Sequence, residues 1–211
     1  MRTADENRRP AILVTAFEPF GGEKLNPTEL LLRLLPDEIG GSDIVRLLLP
    51  VEFSRAPELA EGAIRSLSPS AVIMLGQAGG RRAITPERIA RNLMAARIPD
   101  NAGDMPAGDP VIPCGSEILE STLPVDRIVE EILSLGIPAE ASEDAGTYVC
   151  NALLYSVLAQ TLGRIPAGFI HVPFIREQVE GVSGREQTPF MELEDIARAA
   201  EAAIRLVAEE L

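Results

Sequence analysis

If this chain does Cys–His chemistry, Cys150 and His171 are the residues around which it would be organised. His171 is the only histidine, and Cys150 one of two cysteines, in 211 residues. A cysteine hydrolase needs a thiol and an imidazole to take its proton. If the chain runs such chemistry, its base is therefore already identified. Cys150 opens a helix-like segment, Gly146-Thr147-Tyr148-Val149-Cys150-Asn151, and His171 lies twenty-one residues later in an apolar run, Gly168-Phe169-Ile170-His171-Val172-Pro173. With a helix start near Thr147, the thiol falls in the first turn, where the macrodipole and free N–H groups favour a thiolate and lower its pKa. The same N–H groups are candidate oxyanion donors. On the residues alone the bland alternatives stay open. Cys150 within Val149-Cys150-Asn151-Ala152-Leu153-Leu154 also fits a small buried hydrophobe, and His171 also fits a core histidine satisfied by backbone. A third group should hold the imidazole's tautomer, and spacing does not choose among the acids. Glu87, in Thr85-Pro86-Glu87-Arg88, equally suits an acid at a helix start, with Thr at the N-cap and Pro at N1.

The elements that must position these residues alternate short apolar runs with longer amphipathic ones, the signature of an α/β domain. The pattern predicts strands over Ala11–Ala16, Ile44–Leu49, Ala71–Leu75, Ala139–Ser142 and Ala167–His171. It predicts helices over Thr28–Leu35, Ser54–Leu67, Val125–Leu135, Thr147–Leu162 and Leu193–Leu211. The last is the clearest, with Leu193, Ala197, Ala200, Ile204, Val207 and Leu211 in one stripe that reads as core-covering. Between Gly76 and Leu123 lies a long stretch dense in Gly, Pro and charge, with a short helix expected near Thr85–Ala95 and a functional role suggested by its length. Ligands of open α/β sheets bind at the carboxyl ends of the strands. Phe17-Glu18-Pro19-Phe20-Gly21-Gly22, Gly76-Gln77-Ala78-Gly79-Gly80 and His171-Val172-Pro173-Phe174 all fall at such ends. Neither glycine-rich segment carries a phosphate-binding fingerprint, so tight turns and close backbone approach are the better reading.

Composition narrows the class. A net charge of −13 argues against a nucleic-acid partner, which requires Lys/Arg to displace counterions. No apolar window is long enough to cross a bilayer, and the polar segment 1–9 lacks a secretory pattern, so a cytoplasmic location is expected. One His and two separated Cys do not make a zinc site, and no metal is expected. Cys114, in Pro110-Val111-Ile112-Pro113-Cys114-Gly115, reads as surface loop rather than half of a disulfide.

Several blocks together resemble one family. Leu13-Val14-Thr15-Ala16-Phe17-Glu18-Pro19-Phe20-Gly21-Gly22 with Asn26-Pro27 resembles the opening of the pyroglutamyl peptidase I (pyrrolidone-carboxylate peptidase) family. So do Gly76-Gln77-Ala78-Gly79-Gly80-Arg81, Ile84-Thr85-Pro86-Glu87-Arg88 and Arg97-Ile98-Pro99-Asp100-Asn101. The segments around Cys150 and His171 resemble that family's nucleophile and histidine segments, and the blocks keep the family's order over about residues 11–175. Ala152, where relatives often carry a larger polar residue, and Cys114 depart from the pattern.

The resemblance implies a single-domain three-layer α/β/α sandwich around a twisted mixed sheet, phosphorylase/hydrolase-like, with a flexible tail over 1–10 and a catalytic domain over 11–211. It implies a cysteine peptidase that removes an amino-terminal pyroglutamyl residue without a cofactor, assembling as a homotetramer. Cys150 would be nucleophile, His171 general base and acid, and Glu87 the orienting acid. Phe17 and Phe20 would sandwich the lactam, the Gln77 main chain would pair its polar edge, and Val149 and Ile98 would wall it. The Cys150 N–H, with the Arg97 segment nearby, would form the oxyanion hole. The rival readings are a cysteine amidase or deacylase acting on another small acyl group, a silent module that binds pyroglutamyl peptides, and, more weakly, a phosphorylase using Arg81 and Arg82.

Overall fold

The computed structural model describes residues 9–211. Most of the tail expected over 1–10 lies outside the described residues; the Pro10 carbonyl already accepts from the Asp43 N–H at 2.8 Å. Among the described residues ten strands are formed: β1 Ala11–Phe17, β2 Glu38–Ile39, β3 Ser42–Leu49, β4 Ala71–Gln77, β5 Thr85–Pro86, β6 Ile89–Arg91, β7 Met94–Ala95, β8 Ala107–Asp109, β9 Ile118–Glu120 and β10 Ala167–Val172. Five α-helices join them: α1 Pro27–Leu34, α2 Arg55–Leu67, α3 Val125–Ser134, α4 Val149–Thr161 and α5 Leu193–Glu209. The main sheet has six strands in the order β2-β3-β1-β4-β10-β5. Its centre is parallel, and β2 and β5 run antiparallel at the two ends, so the sheet is mixed.

The central strands are apolar on both faces, as a sheet covered on both sides requires. Ile12, Val14, Ile73, Leu75, Ile170 and Val172 point into a core shared with α1, α3 and α5. Leu13, Phe17, Val72, Met74 and Phe169 point the other way, towards α2 and α4. Helices on both faces complete the three layers expected from the resemblance. Helix α4 is apolar all round, and Val149 and Ala152–Leu158 are buried; it is an internal helix rather than a surface one.

Two expectations for the middle of the chain are corrected. No helix forms near Thr85–Ala95, where the chain builds β5, β6 and β7. The residue before a proline is driven to extended backbone, and Thr85 and Pro86 pair with His171 and Ile170. Pro86 has no N–H to donate, and its carbonyl accepts from the Ser142 N–H at 2.9 Å. Ala139–Ser142 is not a regular strand either. It touches the outer side of β5 through isolated bridges, Ile84 to Ala139 and Glu87 to Ser142. The rest of the long Gly/Pro-rich stretch makes two small two-stranded sheets, β6 with β9 and β7 with β8, packed over α4.

Candidate active site

The strand order reverses at β1, with β3 on one side and β4 on the other. A crevice forms at the carboxyl ends of strands where the topology switches, and the candidate residues collect there. His171 and Gly76 are register partners on β10 and β4. Side chains opposite one another in a sheet share a face, so His171 and the missing side chain of Gly76 both look towards α4. A Cβ placed on Gly76 would stand 3.2 Å from Cys150 Sγ. The thiol therefore sits over the backbone of the residue beside His171. Glycine at this position lets the nucleophile approach the sheet.

Helix α4 presents Cys150 at its second residue, behind Gly146, whose φ is +77°. The Thr147 hydroxyl donates to the Ala95 carbonyl at 2.8 Å, and the Thr147 carbonyl accepts from the Ala95 N–H at 2.9 Å. The next anchor is Asn151, fully buried beside the nucleophile. Its Nδ2 donates to the carbonyls of Arg91 and Leu93 at 2.8 and 2.9 Å, and its Oδ1 accepts from the Arg91 N–H at 2.8 Å. The first bond of the helical ladder runs from the Ala152 N–H to the Tyr148 carbonyl. The N–H groups of Val149, Cys150 and Asn151 thus precede the ladder, as helix geometry dictates.

His171 is held from its other side. Its Nδ1 lies 2.6 Å from Glu87 Oε1. An ionised carboxylate only accepts, so Nδ1 carries the hydrogen and Nε2 is left as the base. Glu87 is fully buried. It is fixed by its own N–H to the Phe169 carbonyl at 2.9 Å and by the Arg88 N–H to the Ser142 carbonyl at 2.7 Å. Arg81 Nη1 donates to the same Glu87 Oε1 at 2.7 Å, and its Nη2 to the Asp144 carbonyl at 2.8 Å. Phe169, two residues from His171, packs its ring 4.6 Å from the imidazole.

The electrostatics follow from burial and these contacts. Burial pushes the Glu87 carboxyl up, but the His171 bond and charge, with Ser142 and Arg81, more than offset it and leave the group below its ordinary value. Burial lowers His171, and Arg81 adds to that, against the opposing pull of Glu87 and Asp144. Burial, with the Glu87 charge, pushes the Cys150 thiol up to about 12, although its own backbone N–H and Arg81 pull it down. The helix start therefore does not produce a standing thiolate as the sequence suggested. Desolvation outweighs the first-turn N–H groups and leaves the thiol above its ordinary value.

The remaining predicted residues divide into two groups. Phe20, Ile98 and Val149 lie on the segments that flank the start of α4 or reach it through Tyr148. Phe20 stacks on Tyr148 at 5.9 Å, a Cβ on Gly21 would meet Ile98 Cδ1 at 3.3 Å, and Val149 is fully buried next to Cys150. Arg97 is exposed on the same loop. That loop is latched by Tyr148 Oη to the Pro99 carbonyl and by Asn101 Nδ2 to the Pro19 carbonyl, both at 3.0 Å. Phe17 and Gln77 sit deeper. The Phe17 ring packs 6.4 Å from Phe169 and is nearly closed to solvent. The Gln77 side-chain oxygen accepts from Gln178 Nε2 at 2.8 Å. Tyr148, Asn151 and Ser142 hold the site together and were given no separate role from sequence, and Arg81, considered there only as a phosphate ligand, instead binds Glu87. Their signal was positional, because each lies in or beside a block that carries the family resemblance. Cys114 is exposed and unpaired with Cys150.

Comparison with known proteins gives one answer. The family model described as pyroglutamyl peptidase matches residues 10–210. Pyrrolidone-carboxylate peptidase 1 of Caldanaerobacter subterraneus subsp. tengcongensis is 44% identical over 199 residues, covering 93% of this chain and 97% of that relative. The pyrrolidone-carboxylate peptidase of Lactobacillus johnsonii is 42% identical over 201 residues, covering 94% and 92%. Pyroglutamyl peptidase I of Bacillus amyloliquefaciens superposes with a TM-score of 0.87 at 40% identity, over 94% of this chain and 97% of that one. A variant pyrrolidone carboxyl peptidase from Pyrococcus furiosus superposes with a TM-score of 0.90 at 40% identity, over 95% and 99%. With its fold, its sequence and the order of its motifs all in agreement, the chain belongs to the pyroglutamyl peptidase family.

Proposed function

We propose that this protein is a cysteine peptidase that hydrolyses the bond following an amino-terminal pyroglutamyl residue, with Cys150, His171 and Glu87 as its catalytic residues. The observation that carries the reading is the His171–Glu87 pair facing the Cys150 thiol across Gly76. In the first step the sulfur attacks the pyroglutamyl carbonyl carbon while its proton passes to His171 Nε2. The carbonyl becomes an oxyanion beside the Cys150 N–H, with the Arg97 segment at the same mouth. Collapse expels the peptide amine, which takes the proton from His171 and leaves a thioester on Cys150. Water then attacks the thioester with His171 again as base, and pyroglutamate and free thiol are released. Glu87 stays ionised throughout and stabilises the imidazolium that forms in each half-reaction.

Pyroglutamate is a small neutral lactam without an α-ammonium, so its pocket should be an apolar slot with few polar contacts. Phe20, Ile98 and Val149 supply walls, Phe17 a floor, and the Gln77 main chain the partner for the lactam edge. Residues 11–211 act as the catalytic domain. Among the described residues no helix is long and apolar enough to cross a membrane. We place the enzyme in the cytoplasm, as a homotetramer acting on peptides. Light scattering of the purified chain tests the assembly.

The activity is tested with aminomethylcoumarin conjugates of pyroglutamate, proline and glutamine, before and after thiol alkylation. Selective cleavage of the pyroglutamyl conjugate, lost on alkylation, is the expected result. Equal or preferential cleavage of the glutaminyl conjugate would point to an amidase instead.

A further inference from the structure

One contact in the site has no part in the steps above. Glu87 Oε1 accepts two hydrogen bonds, from His171 Nδ1 at 2.6 Å and from Arg81 Nη1 at 2.7 Å. The guanidinium is in turn fixed by Nη2 to the Asp144 carbonyl at 2.8 Å and by Nη1 to the Thr85 hydroxyl. Thr85 is the register partner of His171. Arg81 thus ties the loop after β4, the edge strand β5 and the segment entering α4 to one carboxylate oxygen. It is itself half-buried, whereas Glu87 is sealed from solvent.

We propose that Arg81 is a positioning residue that fixes the Glu87 carboxylate and, by sharing its charge, keeps His171 a neutral base at working pH. The proposal rests on the peptidase reading only for its consequence in catalysis. The groups that bear on His171 come from three elements. They are Glu87 beside β5, Arg81 on the loop after β4 and Asp144 ahead of α4, with the Cys150 thiol on α4 facing across Gly76. Of these, Glu87 and Asp144 favour the imidazolium and Arg81 opposes it. Without Arg81, a proton entering the Glu87–His171 pair meets one positive charge fewer, whichever of the two groups receives it. The pair's apparent pKa must then rise. A base with a raised pKa is blocked by protonation over a wider range, and the acid limb of kcat/KM moves to higher pH.

The test uses the fact that His171 is the chain's only histidine. In untagged protein its imidazole gives a single NMR titration, read without reference to activity. Arg81→Gln removes the charge while keeping a hydrogen-bond donor, and Arg81→Lys keeps the charge without the fork. The expected result is a His171 titration raised by about one pH unit in Arg81→Gln, and close to wild type in Arg81→Lys. The acid limb of kcat/KM should follow the same order. A purely structural strap would lower the melting temperature of both variants and leave the titration in place. Identical His171 titrations in wild type, Arg81→Gln and Arg81→Lys would overturn the proposal. Because the titration needs no turnover, that outcome is distinct from failure of the peptidase reading.

Discussion

Gly76→Ala tests how closely Cys150 and His171 depend on a bare backbone between them. Gly76 is not among the residues with positive φ, so alanine meets no backbone strain there. The obstacle is contact. A Cβ would lie 2.4 Å from Phe169 Cζ, 2.6 Å from Cε1 and 3.2 Å from Cys150 Sγ, where ordinary contact begins at 3.4 Å. The ring must therefore retreat by about 1 Å. Phe169 is fully buried between the rings of Phe17 and His171, so its retreat displaces the imidazole. Overpacking of this kind costs ~1–3 kcal/mol. Reduced freedom in the unfolded chain offsets ~0.4–1 kcal/mol of it. A net loss of ~1–2 kcal/mol corresponds to a melting temperature lower by roughly 2–8 °C for a chain of this size. The effect on rate should be larger, because a displacement of ~1 Å at a reacting pair costs on the order of 100-fold, or ~2.7 kcal/mol of barrier. Thermal melts and kcat/KM for pyroglutamyl-aminomethylcoumarin, measured on one preparation, separate the two effects. A folded Gly76→Ala protein with wild-type kcat/KM would refute the reasoning, since Cys150 and His171 would then not meet over Gly76.

Other expectations follow from the same geometry. Glu87→Gln removes the charge that stabilises the imidazolium and should lower kcat by about 10²–10⁴, seen in steady-state assays with little change in KM. Since His171 lies below its ordinary value, the wild-type acid limb of kcat/KM should fall below pH ~6.5, and a limb above that would contradict the assignment. Both His171 and Glu87 bind protons less readily folded than unfolded, so their contribution to stability is present above the unfolded pKa values. It should be lost as pH falls through the histidine range and then the carboxylate range, as denaturant melts at stepped pH would show. Asn151→Ala strands the Arg91 and Leu93 carbonyls and the Arg91 N–H. A loss of about 3 kcal/mol and a melting temperature lower by roughly 6–12 °C are expected.

Much of this site was legible in the sequence, and the parts that were not have physical reasons. The central strands and the five helices follow from apolar period, because a sheet covered on both faces demands continuous apolar runs and α5 a stripe. Thr85-Pro86-Glu87 misled because Thr before Pro fits both a helix cap and an extended edge. What decides is pairing to His171 across 86 residues of chain, which no local pattern records. Glu87 was assigned its role only by resemblance, for the same reason. The first-turn position of Cys150 was legible, but the desolvation and the Glu87 charge that push its thiol up arise from segments distant in sequence and were not. The sequence did not show the partner of the Gln77 side-chain oxygen, because Gln178 lies a hundred and one residues away.

The central claim is that the Cys150 thiol attacks the pyroglutamyl carbonyl, and Cys150→Ala tests it most directly. Wild type, Cys150→Ala and Cys114→Ser should be compared on pyroglutamyl-aminomethylcoumarin, with folding verified by circular dichroism. The account predicts that Cys150→Ala is folded and without measurable turnover, and that Cys114→Ser is unchanged. Turnover by folded Cys150→Ala at a rate comparable to wild type would contradict it.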